Sequence, residues 1–329
     1  MAGGIPEDWK LSPAQRQAIF NTEIAPHELL PYLHHHHKDD GKQPLAVIIV
    51  GQTGAGKTRL APDLTNAMVS LGRPPTHFIA DTYKTYHPYY AECLASKPEK
   101  ASILAGLDAR VWLTMACEYA ATNRLDVLVE SACRHPDDFC NLADIFRAAG
   151  YRVVVAILAV PEALSRLGIL VRYHRNLPEA QSCGLPLRLT PPKVHNDSYA
   201  GLASAAEFID QSPAVDTVIV VRRNNMLAYR NERTVTENSK GRGRVWRDPA
   251  GSALKSLEME RTRELPSDES RIAREDIDEL KKLGDPKIDL QIQDIEASIS
   301  NLETRRGDAE PIPTLELLDA AEFIKRQLE

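Results

Sequence analysis

The residues Gly51, Gln52, Thr53, Gly54, Ala55, Gly56, Lys57 and Thr58 satisfy the spacing GxxxxGK[ST] and follow directly on the apolar run Leu45 to Val50. Small residues let successive backbone N–H groups curl around a β-phosphate at the start of a helix. Lys57 then reaches the β/γ oxygens, and the Thr58 hydroxyl is placed to ligate Mg²⁺. The chemistry this predicts is binding of a nucleoside triphosphate with its metal, so ATP and Mg²⁺ are the expected cofactors. The guanine signature NKxD is absent, as is an apolar run ending in the Asp-Glu pair of motor and transporter ATPases. A switch GTPase or a remodelling ATPase is therefore disfavoured, and a small kinase-like phosphotransferase fits better.

A transferase needs an acceptor side. In "FIADTYKTYHPYYAE" Asp81 ends an apolar run, where a carboxylate can align an acceptor hydroxyl or take its proton as it attacks the γ-phosphate; capping a following helix is an equal use of Asp at that place. Tyr83, Tyr86, Tyr89, Tyr90 and His87 form an aromatic cluster in a chain with only 6% aromatics, which could line a sugar or base pocket. In "VLVESACRHPDD" Glu130 takes the equivalent strand-end place, suited to substrate hydroxyls or a magnesium-bound water, and Arg134 follows as a contact for an anionic substrate. Charge on the transferring phosphoryl group calls for cations with a planar fork. Arg172, in a helical stretch with Arg166 and Arg175, and Arg188, in the adjoining lid-like loop, are the candidates.

Elements must hold these residues in one place. Five short β-branched runs, Leu45–Val50, His77–Ala80, Asp126–Glu130, Arg152–Val160 and Asp216–Val221, alternate with helical patterns beginning near Lys57, Asp108, Asp137, Pro161 and Leu202. Unbroken apolar strands separated by helices predict a doubly wound α/β fold with a parallel sheet, whose ligand crevice lies beyond the carboxyl ends of the strands. Before it, Ser12 and Pro13 open an amphipathic helix that Pro26 interrupts, followed by a polar loop with four histidines, His34 to His37, that lacks the dispersed spacing of a zinc site. After Arg230 the chain turns polar and then highly charged, with no strand pattern; an apolar stripe from Leu280 to Leu302, broken at Gly284 to Pro286, predicts two helices packed on the core or on a partner. The expected organisation is an N-terminal arm (1–43), a P-loop kinase-like domain (44–232) and a charged helical C-terminal extension (233–329).

The net charge of −6 argues against nucleic acid as a partner. Five cysteines, Cys93, Cys117, Cys133, Cys140 and Cys183, form no CxxC pair, as expected of reduced thiols. The longest apolar run, Val153 to Val160, falls far short of the roughly 20 residues that span a bilayer, so a cytoplasmic protein without membrane attachment is expected.

Taken in order, "GQTGAGKT", "ADTYKTYHP", "VLVESACR", "LAVPEALSRLGILVRY" and "RLTPPKVHND" resemble the motifs of the zeta toxin family, over about Leu11 to Arg230. These are small P-loop kinases of toxin and antitoxin systems that phosphorylate the 3′-hydroxyl of UDP-N-acetylglucosamine. The resemblance implies that Asp81 is the acceptor-binding base, Lys57 and Thr58 the nucleotide and magnesium contacts, Glu130 the aminosugar-binding acid, and Arg172 and Arg188 the phosphate-neutralising pair. It also implies a nucleotide-sugar substrate and an antitoxin partner. One position departs: where the family has Glu-Gly-Thr-x-Arg this chain has Ala132, losing a hydroxyl whose hydrogen bond is worth about 0.5–1.5 kcal/mol. Two other readings stay open at this point: the same kinase with another acceptor (NAD, another nucleotide, a nucleic-acid end or a small metabolite), and a non-catalytic ATP-binding regulatory module.

Overall fold

The computed structural model describes residues 9–35, 41–135, 137–182, 189–238, 241–304 and 315–329. The first helix, α1 (Pro13–Ile19), starts where Ser12 predicts. The Ser12 hydroxyl accepts from the Gln15 amide while the Gln15 side chain accepts from the Ser12 amide, a reciprocal capping box. At Pro26 the chain keeps turning in wide π-type turns (Phe20–Leu29), which accommodate the missing amide, and tightens into a 3₁₀ turn over Leu30–His35. The rest of the histidine run, His36 and His37, lies outside the described residues.

The five apolar runs all become strands: β1 (Leu45–Val50), followed by α2 (Lys57–Ser70); β2 (Thr76–Ile79), followed by α3 (Ala80–Tyr83), α4 (Tyr90–Ser96) and α5 (Pro98–Asn123); β3 (Val127–Ser131) and α6 (Asp137–Ala148); β4 (Arg152–Leu158), α7 (Glu162–Ser182) and α8 (Pro192–Gln211); then β5 (Thr217–Val221). Helices α5 and α8 begin about ten residues earlier than their apolar periodicity suggests, each with proline in its first turn, where a missing amide costs nothing. The strands pair in the order β2-β3-β1-β4-β5, all parallel, so β1 is central and its carboxyl end lies at the switch between the two halves of the sheet. Every residue of β1, β3 and β5 is buried, as both-face coverage requires.

The polar stretch after Arg230, where no strand is expected, instead carries an antiparallel hairpin, β6 (Met226–Asn238) and β7 (Gly241–Trp246), that extends the sheet beyond β5. A strand with one face in solvent reads as polar alternation rather than an apolar run, which hides it. The expected domain boundary at 232/233 therefore falls inside β6. The extension continues through α9 (Ala253–Thr262), α10 (Ser267–Lys282) and α11 (Pro286–Glu303), broken where Gly284 predicts, to a short β8 (Glu316–Leu317) on β6 and α12 (Ala320–Leu328).

Two apolar cores flank the sheet. One joins the N-terminal helices, α5, α6, α8 and α9. The other joins α2 and α7 to Ile277, Leu280, Ile288, Ile292, Ile295 and Ile299 of α10 and α11. The C-terminal stripe thus packs on the core, except that Leu283 and Leu290 stay exposed. At the amino ends of the strands, Asp126 receives the Arg73 guanidinium in a buried fork (2.5 and 2.6 Å) and accepts from the Leu45 amide at 2.7 Å, tying β1 to β3.

Candidate active site

The phosphate loop leaves β1 at Gly51, whose amide donates to Ser131 O (3.2 Å) and so continues the β1–β3 ladder into the loop. Gly54 and Gly56 hold φ of +82° and +103°, values that L side chains rarely adopt. A Cβ at Gly54 would lie 2.1 Å from the carbonyl oxygen of Ser165 in α7, so the loop and that helix touch backbone to backbone. Gly51, Gln52 and Ala55 form the buried back of the loop rather than its open face. The Gln52 amide donates to Val160 O (2.7 Å) and to Ser165 Oγ (3.3 Å), and Ser165 in turn meets His195 Nε2 at 2.8 Å. Ser198 Oγ accepts from the Thr53 amide at 3.1 Å. From the far side Arg223, in the turn after β5, donates to Gly54 O (2.7 Å) and Leu164 O (2.8 Å); burial pushes its guanidinium down to about 10, which leaves it charged at neutral pH.

Thr53, Gly54, Gly56, Lys57 and Thr58 open into a cleft of about 790 Å³, a size suited to a nucleotide-scale ligand. Lys57 Nζ donates to Gly51 O at 2.7 Å. Desolvation lowers its pKa most, and the negative charges of Glu130 and Asp81 act against that. Asp81 stands across the same cleft at the start of α3. It is not the helix cap, since the N-cap is Ile79 and no side-chain cap bond forms; its carboxylate pairs with Lys84 at 2.5 Å. Removal from bulk water raises its pKa, but most of its side chain stays open to the cleft, so the cations decide. Lys84 first, then Lys57 and Arg172, hold the carboxyl below the ordinary carboxylate value. Glu130, at the end of β3, is buried and meets His77 Nε2 at 3.0 Å. Beyond it Cys133 takes a left-handed φ of +49°, which redirects the chain so that Arg134 lines the cleft, 3.9 Å from Asp197. Arg172 lines the opposite wall from α7.

Not every expected residue joins this group. His87 is buried away from the cleft, 3.3 Å from Asp108 and against the rings of Trp9, Tyr89 and Trp112. Tyr83 is a core residue, and Tyr86 donates to Glu28 at 2.6 Å; none of the four tyrosines lines the cleft. Tyr83 and Tyr86 therefore pack with the first core, while His87, Tyr89 and Tyr90 gather around Trp9, and the cluster forms no sugar pocket in the cleft. Arg188 and Cys183 lie outside the described residues, and the four described cysteines are free. Arg166 and Arg175 are engaged by carboxylates of the extension, Asp294 (2.6 Å) for the first and Asp276 and Glu279 (both 2.7 Å) for the second.

Sequence reasoning missed several members. Lys84 sits one turn beyond Asp81 at i+3, a spacing that signals an ion pair once the helix is known. Arg223 and Asn224 follow the fifth strand and were findable by the same strand-end rule that gave Asp81 and Glu130. Asp268, Glu269, Ile272, Ala273 and Asp276 reach the cleft from α10, in the extension to which no role attached. Among the described residues no group of three or more His, Cys, Asp and Glu is placed to hold a metal, and no helix is long and apolar enough to cross a membrane.

The zeta toxin family model matches residues 32–234. Toxin PezT of Streptococcus pneumoniae is 24% identical over 208 residues, covering 60% of this chain and 76% of that protein. Toxin zeta of Enterococcus hirae is 23% identical over 240 residues, covering 72% of this chain and 76% of that protein. A solved structure from the PezAT chromosomal toxin-antitoxin system of Streptococcus pneumoniae is similar with a TM-score of 0.61 and 17% identity, over 83% of this chain and 98% of that one. With a family match across well over half its length, a phosphate loop at the switch point of the sheet and the fold to go with them, the chain belongs to the zeta toxin family of kinase-type phosphotransferases.

Proposed function

We propose that the protein transfers the γ-phosphoryl group of ATP to a hydroxyl of a nucleotide sugar, with the 3′-hydroxyl of UDP-N-acetylglucosamine the first candidate. The observation that carries this reading is one cleft lined by Lys57 and Thr58 of the phosphate loop together with Asp81 and Arg172, with the Asp81 side chain open to it. Binding ATP alone needs no carboxylate opposite the phosphate loop; transfer to a hydroxyl does.

The residues fit the expected reactants. A backbone-lined cradle at the start of α2, with no room for a Cβ at Gly54, suits a β-phosphate, and Thr58 is exposed at its mouth to hold Mg²⁺. When bound, Mg²⁺ would offset charge on the β- and γ-oxygens. Lys57, partly desolvated and now bonded to Gly51 O, is poised to exchange that carbonyl for phosphate oxygens. Asp81 is already ionised at neutral pH, so it orients the attacking hydroxyl and receives its proton as the new P–O bond forms and the bond from the γ-phosphorus to the β–γ bridging oxygen breaks, releasing ADP. Arg172 neutralises charge on the phosphoryl group in flight, and Glu130, held by His77, binds acceptor hydroxyls beside Arg134. Ala132, also in the cleft wall, leaves out the hydroxyl of the family pattern at the acceptor end. An antitoxin partner, by likeness to the PezAT system, belongs to the same reading.

The test is to incubate the purified protein with ATP, Mg²⁺ and a panel of nucleotide sugars beside the Asp81→Asn variant. Phosphorylated sugar formed by the wild type and abolished in the variant is expected. Absence of any phosphorylated sugar, or full activity of Asp81→Asn, would refute this acceptor chemistry.

A further inference from the structure

The cleft has a wall that the family-matched residues do not supply, and its place in the sheet says what it faces. Asp81 and Glu130 stand at the ends of β2 and β3, on one side of the phosphate loop at the end of β1. Attacking and leaving oxygens lie roughly in line across the transferring phosphoryl group, so the leaving oxygen lies on the side away from the acceptor carboxylates. The part of the cleft left for the nucleoside is then the part lined by α7, by Arg223 and Asn224, and by α10. On α10 the residues Asp268, Ile272 and Asp276 recur every four positions and so share one face, with Ala273 beside Ile272. Ile272 is 50% exposed although it lines a cleft. Glu269 and Asp276 are neutralised by Arg263 (2.6 Å) and Arg175 (2.7 Å), whereas Asp268 has no hydrogen bond or ion pair among the described residues and has the charge of Arg271, one turn on, near it. The helix is fixed, not detachable: Ala273, Ile277 and Leu280 are buried in the second core, and the cleft remains about 790 Å³ with α10 in place. It walls the site and does not plug it.

Resting on the nucleotide reading above, we propose that α10 is the nucleoside wall of the donor site, with Ile272 as the apolar platform for the base and Asp268 as acceptor for the ribose hydroxyls. An aliphatic face is a suitable partner for a base plane, and an ionised carboxylate is an acceptor-only group that suits a pair of hydroxyl donors.

Three probes with Mg²⁺, titrated into the full chain, test this: ATP, 2′,3′-dideoxy-ATP and inorganic tripolyphosphate, which has phosphates but no nucleoside. Ile272→Ser is expected to weaken ATP about fivefold to tenfold, the effect of uncovering half an isoleucine, and to leave tripolyphosphate unchanged, which also shows the variant folded. Asp268→Ala is expected to remove the wild type's preference for ATP over the dideoxy analogue. Lys57→Ala should weaken all three. Wild-type ATP affinity in Ile272→Ser, or an equal loss of ATP and tripolyphosphate there, overturns the wall, as does an unchanged ribose preference in Asp268→Ala. If the wild type binds none of the probes, the nucleotide reading itself fails.

Discussion

Gly54→Ala puts the phosphate loop's contact with α7 to a quantitative test. The new Cβ would lie 2.1 Å from Ser165 O and 2.9 Å from Ile169 Cγ1, at a φ of +82°. Carbon and carbonyl oxygen approach ordinarily to about 3.3 Å, so loop and helix must part by about 1 Å. Overpacking of that kind costs about 1–3 kcal/mol, and the left-handed backbone adds about 1–2 kcal/mol for any residue with a Cβ. Gly72→Ala separates the two contributions, because Gly72 has a φ of +71° with nothing within 4 Å of its would-be Cβ. Urea unfolding should therefore show Gly72→Ala losing about 1–2 kcal/mol and Gly54→Ala about 2–5 kcal/mol. Only Gly54→Ala should also lower phosphoryl transfer, on the order of 100-fold for a 1 Å misplacement of the loop. If Gly54→Ala loses no more stability than Gly72→Ala and turns over normally, the backbone contact between loop and helix does not position the phosphates.

Further outcomes follow from the same geometry. Asp126→Ala strands Arg73 as an uncompensated buried charge and should cost about 3–5 kcal/mol by urea unfolding. Burial pushes the imidazoles of His87 and His195 below their ordinary value of 6.5, so between that pH and the lower folded values the unfolded chain binds more protons. Thermal stability should then be level above pH 7 and fall as the pH drops below about 6.5, by up to about 1.4 kcal/mol per pH unit for each histidine, seen in melts from pH 7.5 to 5. Arg172→Ala should lower kcat about 100-fold or more with little change in the ATP dissociation constant, measured by steady-state kinetics beside equilibrium binding; equal loss in both would make it a binding residue only.

The parallel core was legible because strands covered on both faces read as near-continuous apolar runs, as Leu45–Val50 and Val153–Leu158 do. The hairpin β6–β7 was illegible for the converse reason: Arg233, Val235, Arg244 and Val245 belong to a sheet margin with one face in water, where composition matches that of a loop. Asp81, Glu130 and Lys57 were legible because strand ends converge on the crevice whatever the packing details. His87 misled because an aromatic cluster announces burial of rings without saying on which side of a backbone they fall; here Trp9, Trp112 and Asp108 claim it. For α10 the apolar stripe from Leu280 to Leu302 reaches only the last turn, at Leu280, so the buried face at Ala273 and Ile277 went unread. Which residues the opposite face meets depends on the path of the chain through the hairpin and α9, which no local pattern encodes.

The bonds around the phosphate loop explain why a site assembled from such distant segments can be exact in geometry before any ligand enters. Ser198 grips Thr53 from α8, Arg223 holds Gly54 from the turn after β5, and Ser165 with His195 supports Gln52 from behind. Arg261 of α9 adds a further strut: its guanidinium stacks 3.7 Å over the Tyr199 ring and donates to Tyr199 O at 2.8 Å, on the same helix that carries His195 and Ser198. Apart from Arg261 Nε, which has no partner among the described residues, these polar groups are satisfied by backbone or by one another, so releasing one leaves its partner unpaired at a cost of about 1–3 kcal/mol. That asymmetry makes the loop rigid, and a rigid loop is what electrostatic catalysis requires, since donors already aimed at the phosphates need no reorganisation when charge moves. Arg261 also donates to Gln52 Oε1 at 3.5 Å, so one residue of the extension reaches the phosphate loop itself, while α10 and α11 hold the extension to the sheet through the second core.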